Sequence, residues 1–515
     1  MKKFTQMLMV AMVATTGTTY AQYGQYVGDA IRFGKGNYGS SARSNGMGNA
    51  QIGVGGDMSS LGGNPAGLGL FTRSEFSFTP EFNNSTSKSD YLGQSGKGSD
   101  NKLNVGQIGV VWYNPTYKAQ GQDTKRGVLS AVFGIGFNRT NDYTQNYKYG
   151  GNNDVTTMRD YFAEEANFYK NQSGNLDSKS LENMAFQSYL INKITPAGQI
   201  SNYTAEPFIG SNLQTVNAAS YGGSSELNFS GALNISNQLY IGATIGMVNT
   251  RYFNDSEYIE SGTLNPYNDD PTKGPLGYTG EEKYKFSYTT SQESKGSGIN
   301  GKLGLIFRPV SNFRIGATFQ TPTWLYVEDH FSENISTVLS GETISNGVGP
   351  LNYSYTYNLK TPAKGSLGAS YVIAGQAIIS ADVDFIDYSS TRFSMDGGGS
   401  PDQDIINNNA DIKKYYKSAI NYRVGGEYKV NNLSLRAGYG LNGSPLKDDT
   451  KNIYDTKYYT GGLGYRINEY YFDIAYQRVQ SENRLSPYVL SDGSEPVAAI
   501  KNANNNVLLT FGIRF

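Results

Sequence analysis

His330 is the only imidazole in 515 residues, and cysteine is absent. Ser–His hydrolase chemistry would therefore have to use this one side chain as its general base. It stands in Tyr326-Val327-Glu328-Asp329-His330, with no nucleophile motif around it, and reads as an exposed histidine near the end of a strand. Metal clusters of His and Cys cannot be assembled, and a haem would depend on His330 or a tyrosine. Asn268-Asp269-Asp270 and Asp448-Asp449 offer carboxylates to calcium, but they lack the spacing of a calcium loop and read as solvated charge. The glycines at 53–56 are not followed by Lys-Ser/Thr, so they do not form a phosphate loop. These residues point to no catalytic site, no metal and no cofactor.

The elements that carry the chain are strands of a particular kind. Charged residues make up 17% of the sequence, below the roughly 25% of ordinary soluble domains. A net charge of -1 leaves no basic footprint for nucleic acid. Mean hydropathy is -0.48, yet a membrane barrel can have such a value, because half of every strand faces a polar lumen. Lys2 and Lys3, an apolar run at 7–14, and Thr19-Tyr20-Ala21 form a secretory signal peptide over 1–21, with a mature start at Gln22. That run is too short to span a bilayer as a helix, and no other segment is long and apolar enough.

The final strand alternates cleanly: Val507, Leu509, Phe511, Ile513 and Phe515 face one way, Leu508, Thr510, Gly512 and Arg514 the other. Stretches at 227–235, 239–247, 313–320 and 433–441 repeat the pattern. A soluble sandwich also alternates. Here, however, tight turns (Ser236-Asn237, 309–312, Ala374-Gly375, Asn431-Asn432, Asn468-Glu469) alternate with long polar connections, as periplasmic turns and extracellular loops do. Aromatic pairs such as Trp112-Tyr113, Tyr415-Tyr416 and Tyr470-Tyr471 stand at strand ends, where an interfacial girdle would need them. The expected fold is all-β: a transmembrane antiparallel β-barrel of about 14 strands over 74–515, in the outer membrane of a Gram-negative cell. An extracellular insert at about 140–222 contains two expected helices, 157–170 and 178–194, the second capped by Asp177 or Ser178. Its apolar residues either pack the hairpin on the rim or form a substrate-collecting groove.

Residues 22–73 are Gly-rich and break the alternation. They contain Ser41-Ala42-Arg43-Ser44-Asn45-Gly46-Met47-Gly48-Asn49-Ala50 and then Asn64-Pro65-Ala66-Gly67-Leu68, just ahead of the first strand. This order resembles the FadL/OmpP1/TodX outer-membrane transporters of hydrophobic compounds. A Gln22 start and Asn- and Lys-rich loops are similar to Bacteroidota members. The terminal Phe515 resembles the signal read by the barrel-assembly machinery.

The resemblance implies that 22–73 folds into the lumen as a hatch. Its Gly-rich part includes Arg43, Gly46 and Gly48, and Asn64, Pro65, Ala66 and Gly67 form its motif. Pro65 fixes φ and Asn64 favours a turn, so this is a stiff corner; a simple anchoring turn is the other reading. It further implies a kink in the third strand that opens the wall sideways, for which Gly134 and Gly136 are candidates. The implied function is passive uptake of hydrophobic small molecules, such as long-chain fatty acids or aromatic compounds, with lateral release into outer-membrane lipid beneath the lipopolysaccharide. Parity of the strands makes Arg314 and Arg436 candidate lumenal contacts for a ligand carboxylate. A non-transporting barrel of a type IX secretion system and a general porin are the alternatives.

Overall fold

The computed structural model describes residues 27–36, 41–120, 123–195, 200–264 and 281–515. The signal peptide, its cleavage site before Gln22 and the Asn268–Asp270 carboxylates lie outside these residues.

Among the described residues, fourteen strands form the wall. They are β1 (Glu75–Tyr91), β2 (Gln94–Pro115), β3 (Val128–Asp142), β4 (Phe208–Ile235), β5 (Leu239–Leu264), β6 (Glu282–Val310), β7 (Phe313–Gln320) and β8 (Lys364–Ile373). β9 (Ala377–Asp387), β10 (Ser418–Val430), β11 (Leu433–Asn442), β12 (Thr456–Ile467), β13 (Tyr470–Leu485) and β14 (Ala498–Arg514) complete it. Each pairs antiparallel with the next, and β14 closes on β1 from Glu75↔Arg514 to Asp90↔Ala499. Closure joins the first strand to the last, so the sheet has no free terminal strand in lipid.

Outward positions are apolar around the whole circumference: Phe133, Ile245, Leu303, Phe319, Leu367, Ile379, Phe472 and Leu509 are all exposed. A continuous apolar belt of this extent belongs in a bilayer. Inward positions are polar and buried, among them Thr244, Asn300, Asp382, Arg423, Glu427, Arg436, Asp473 and Thr510. The short turns use left-handed residues, with Ser236, Asn237, Ala374, Asn431 and Asn468 all at positive φ, as tight hairpins require.

Several expected boundaries shift. β1, β2 and β4–β6 run well past the 9–11 residues a bilayer needs, because their alternation continues above the membrane with polar side chains outside. The third strand does not end at 140. It turns at Tyr143-Thr144 and resumes over Gln145–Asn153, paired with β4 from Gln145↔Ser220 to Asn153↔Asn212. The insert is therefore 154–207 rather than 140–222.

Among the described residues, five α-helices accompany the strands: α1 (Val27–Gly34), α2 (Ala42–Gly46), α3 (Met158–Tyr169), α4 (Leu181–Gln187) and α5 (Gln403–Tyr415). α3 starts at a Thr157 capping box. α4 is capped by Ser180, not by Asp177 or Ser178. It ends early because Tyr189 takes positive φ and Leu190 N–H bonds back to the Ala185 carbonyl, a helix stop.

α3 and α4 sit over the long-loop end. Phe162, Met184, Leu190 and Ile191 are buried against an inward aromatic layer of Tyr91, Tyr258, Tyr284, Phe286 and Tyr288. Glu260 on β5 anchors this cap. It accepts from Thr157 Oγ1, from Met158 N at 3.1 Å and from Tyr284 OH at 2.7 Å. α5 was not anticipated. Its Ile405, Ile412 and Tyr415 pack with Val27, Ala30 and Phe33 of α1 inside the barrel. Tyr415 and Tyr416 are thus core residues and not girdle, since the helix carries them inward.

Candidate functional site: a plugged lumen with a break in its wall

The segment from Ser41 to Phe71 fills the barrel near the short-turn end. Local polar residues give it shape before the wall is met. Ser41 Oγ accepts from Ser44 N to start α2. Asp57 caps the 3-10 turn Met58–Leu61, and Asn64 Oδ1 accepts from Ala66 N at 3.1 Å to start Pro65–Leu70. Pro65 stands at the first position of that turn, where its missing N–H costs nothing. The Asn64 amide then donates to Ile52 O at 2.7 Å and to Leu305 O of β6 at 3.2 Å, so one side chain joins the corner to the plug and the wall.

Contacts run around the circumference. Ala42 N donates to Thr510 Oγ1 at 2.8 Å, and Thr460 Oγ1 donates to Gly46 O at 3.1 Å. Gln51 N and Ile52 N donate to Asp382 Oδ2 at 2.6 and 2.9 Å. Ser370 Oγ donates to Gly53 O at 2.7 Å. Arg43 forks onto Glu427 at 2.9 and 3.0 Å, and Glu427 also accepts from Arg436 Nε at 2.6 Å.

The wall is built to receive this backbone. A Cβ at Gly316 would lie 2.0 Å from Ile52 O, at Gly425 2.1 Å from Met47 O, and at Gly304 2.1 Å from Asn64 Oδ1. Gly48 of the plug is at positive φ, where a Cβ would lie 3.0 Å from the backbone of Val424 and Tyr439, and a Cβ at Gly46 would lie 3.3 Å from the Cα of Gly462. Gly67 has no room for a Cβ, which would meet Ser60 Oγ at 2.4 Å.

Gly134 and Gly136 belong to the same set. Both hold regular pairs with β2 and β4, and added Cβ atoms would strike Leu61 of the plug at 2.7 and 2.4 Å. They make room for the plug and do not kink the strand. Arg436 spends its donors on Glu427 and Asp473, and Arg314 NH1 donates to Val54 O at 2.6 Å. Both arginines are lumenal, as parity requires, but they hold the plug and each other's neighbours in place of a ligand.

The irregularity in the third strand lies higher. β2 and β3 pair only from Pro115↔Ser130 to Gln107↔Asn138. Just above, Gly106 is an extra residue of β2 against β1, and Thr140 an extra residue of β3 against β4. Bulges bend the strands that carry them, and here they flank one gap from both sides. Residues 94–106 of β2 pair with β1 alone. Asp142 Oδ1 accepts from Thr144 N at 2.8 Å to turn the chain inward, and Ser89 Oγ on the inner face of β1 bonds the carbonyl of Lys148 at 2.5 Å. The polar run Arg139-Thr140-Asn141-Asp142, which interrupts the alternation, is the sequence signal for this break.

Two cavities lie above the plug. One, of about 80 Å³, backs onto the gap between Asn83, Arg139 and Asn504. The other, also of about 80 Å³, is lined by Lys35, Glu226, Lys302 and Lys364 beside α1. Burial lowers the Lys35 ammonium to about 8. Burial likewise raises the Asp29 carboxyl of α1 to about 7, against the opposing charge of Arg32. His330 lines neither cavity; it is exposed on the strand Trp324–Leu339, with Nδ1 2.8 Å from Ser354 Oγ on the paired strand Leu351–Lys360.

The barrel is similar to known structures. A Pseudomonas aeruginosa FadL homologue superposes with a TM-score of 0.52 at 14% identity, covering 92% of this chain and 98% of that one. A TodX monoaromatic hydrocarbon channel lacking S2 gives a TM-score of 0.53 at 16% identity, covering 93% and 99%. No curated protein sequence matches the chain. A family model for the outer membrane protein transport protein OMPP1/FadL/TodX matches residues 38–488, and the chain belongs to that family.

Proposed function

We propose that this protein is a passive outer-membrane channel for hydrophobic small molecules, gated by the Ser41–Phe71 plug and emptied sideways through the gap between β2 and β3. The carrying observation is the coincidence of two bulges, at Gly106 and Thr140, with a stretch of β2 that has lost one neighbour. An unpaired strand inside a bilayer leaves backbone groups without partners. A molecule passing there pays less to cross the wall than anywhere else on the circumference. The hydrocarbon named for the TodX channel and the family's transport description support the same cargo class.

In this reading the signal peptide over 1–21 directs export, and the barrel-assembly machinery inserts the chain through the strand ending at Phe515. Cargo then leaves into outer-membrane lipid without crossing the lipopolysaccharide headgroups. The cap of α3 and α4 governs access from outside. Deleting Thr140 removes the bulge and should let β3 continue beside β2. Cells producing that variant are expected to lose uptake of labelled long-chain fatty acid or toluene while the barrel still folds. Unchanged uptake by a folded variant would remove the lateral route.

A further inference from the structure

The cavity behind the gap is not a hydrocarbon site. Of its lining, only Leu508 is apolar, and seven residues are carboxamides. These amides form a directed chain. Asn104 donates to Asn83 at 2.7 Å, Asn83 to Asn506 at 3.0 Å, Asn506 to Gln477 at 3.1 Å, and Gln477 to Asn45 of the plug at 3.1 Å. Ser85 adds a bond to Asn504 at 2.9 Å. Each carboxamide offers two donors and an acceptor in one plane, which matches a hydroxyl that must both give and take a hydrogen bond.

The charges in the cavity narrow the ligand further. Arg139 is its only cation, and that side chain is already committed to Asp142 at 3.2 Å and Asn104 at 3.1 Å. Glu81 and Asp142 bring two carboxylates. A free carboxylate would meet two carboxylates and a guanidinium that Asp142 already neutralises, with only Nε of Arg139 left without a partner. On the bilayer side of the same gap, Leu103 and Val105 of the unpaired stretch are 76% and 42% exposed, with Phe82 beside them on β1. An apolar surface outside and a carboxamide chamber inside meet across one opening.

We propose that the chamber binds the uncharged, hydroxyl-bearing head of an amphiphile whose acyl or alkyl tail lies through the gap into the bilayer. This rests on the lateral route proposed above and names its cargo more narrowly. The same amide chain ends on Asn45, so a head that takes over these bonds also loosens one tie of the plug.

The test is a calorimetric titration of the purified full-length barrel at pH 7, in lauryldimethylamine oxide, whose head carries no hydroxyl, with dodecyl glucoside and separately with dodecanoate. The glucoside should bind at least about tenfold more tightly. The double variant Asn504→Leu/Asn506→Leu should abolish that preference. Equal or tighter binding of dodecanoate to the unaltered protein would overturn the proposal, whether or not the variant folds. So would a folded variant that retains the preference. Toluene uptake by cells separates the two readings. If uptake is present without a glucoside preference, only the chamber assignment falls; if uptake is absent, the channel itself falls.

Discussion

Putting a methyl group on the wall where the plug rests should open the barrel. Alanine at Gly316 places Cβ 2.0 Å from Ile52 O, and alanine at Gly425 places it 2.1 Å from Met47 O. The atoms struck are backbone, so no side chain can rotate away. Restoring an ordinary contact near 3.4 Å requires the plug to retreat by about 1.4 Å at Gly316. Retreat would sever the Gln51 and Ile52 bonds to Asp382, worth about 1.5–3 kcal/mol each as bonds to a charge. Staying in place instead costs about 1–3 kcal/mol of overpacking per site. Gly316→Ala/Gly425→Ala therefore weakens docking by about 2–6 kcal/mol if the sites add. At 1.4 kcal/mol per tenfold, the ratio of docked to undocked plug falls about 30-fold to 10⁴-fold. Single-channel recording in planar bilayers reads the outcome. The parent should pass little current, and the double variant should show frequent large openings. Gly365→Ala, where nothing lies within 4 Å, is the silent control. A folded double variant as quiet as the parent would refute the idea that these glycines seat a removable plug.

The cap offers two further expectations. Glu260→Ala leaves Arg159, 3.7 Å away and buried, without its counter-charge, which costs about 3–5 kcal/mol of cap docking; spin labels on α3 and on the β13–β14 loop should then report a broad distance distribution where the parent gives a narrow one. Burial, with Glu182 and Glu164 adding repulsion, raises the Glu165 carboxyl of α3 to about 8. A raised carboxyl stabilises the docked cap below its ordinary value near 4.5 and loses that contribution as pH climbs through about 8. The same labels should show the cap loosening between pH 5 and 9, and Glu165→Gln should flatten the response; an identical pH profile in both proteins would exclude Glu165 as the source.

The barrel was legible from residues alone, because strict alternation at 433–441 and 505–515 comes with tight turns that alternate with long polar connections. The tight turns were legible for a local reason: Asn, Ser and Gly at those positions adopt the left-handed backbone. Helix α3 was foreseen from composition, but α5 was missed because its Asn-rich sequence hides an apolar stripe of Ile405, Ile412 and Tyr415. Placing the strand-three break at Gly134 and Gly136 failed, since a glycine in a wall strand serves either a bulge or a close neighbour. Only the position of Leu61, more than seventy residues away, decides between them. Of the partners of the two arginines, Glu427 faces Arg436 across the Asn431-Asn432 hairpin, whereas Asp473 and Val54 come from distant chain segments that no local pattern pairs.

The central claim is that apolar cargo passes only when the plug moves. Ala42 N of the plug donates to Thr510 Oγ1 of the wall at 2.8 Å, which brings the two Cα atoms within the roughly 4.4–6.8 Å that a disulfide spans. The chain has no other cysteine to interfere. Ala42→Cys/Thr510→Cys should be produced in a Gram-negative host lacking its own channel of this family, and uptake of labelled long-chain fatty acid and toluene measured before and after reduction. Uptake should fall to the empty-host level when the pair is oxidised and return when it is reduced. Equal uptake with the plug locked and free, in a protein shown to be cross-linked, would contradict the account.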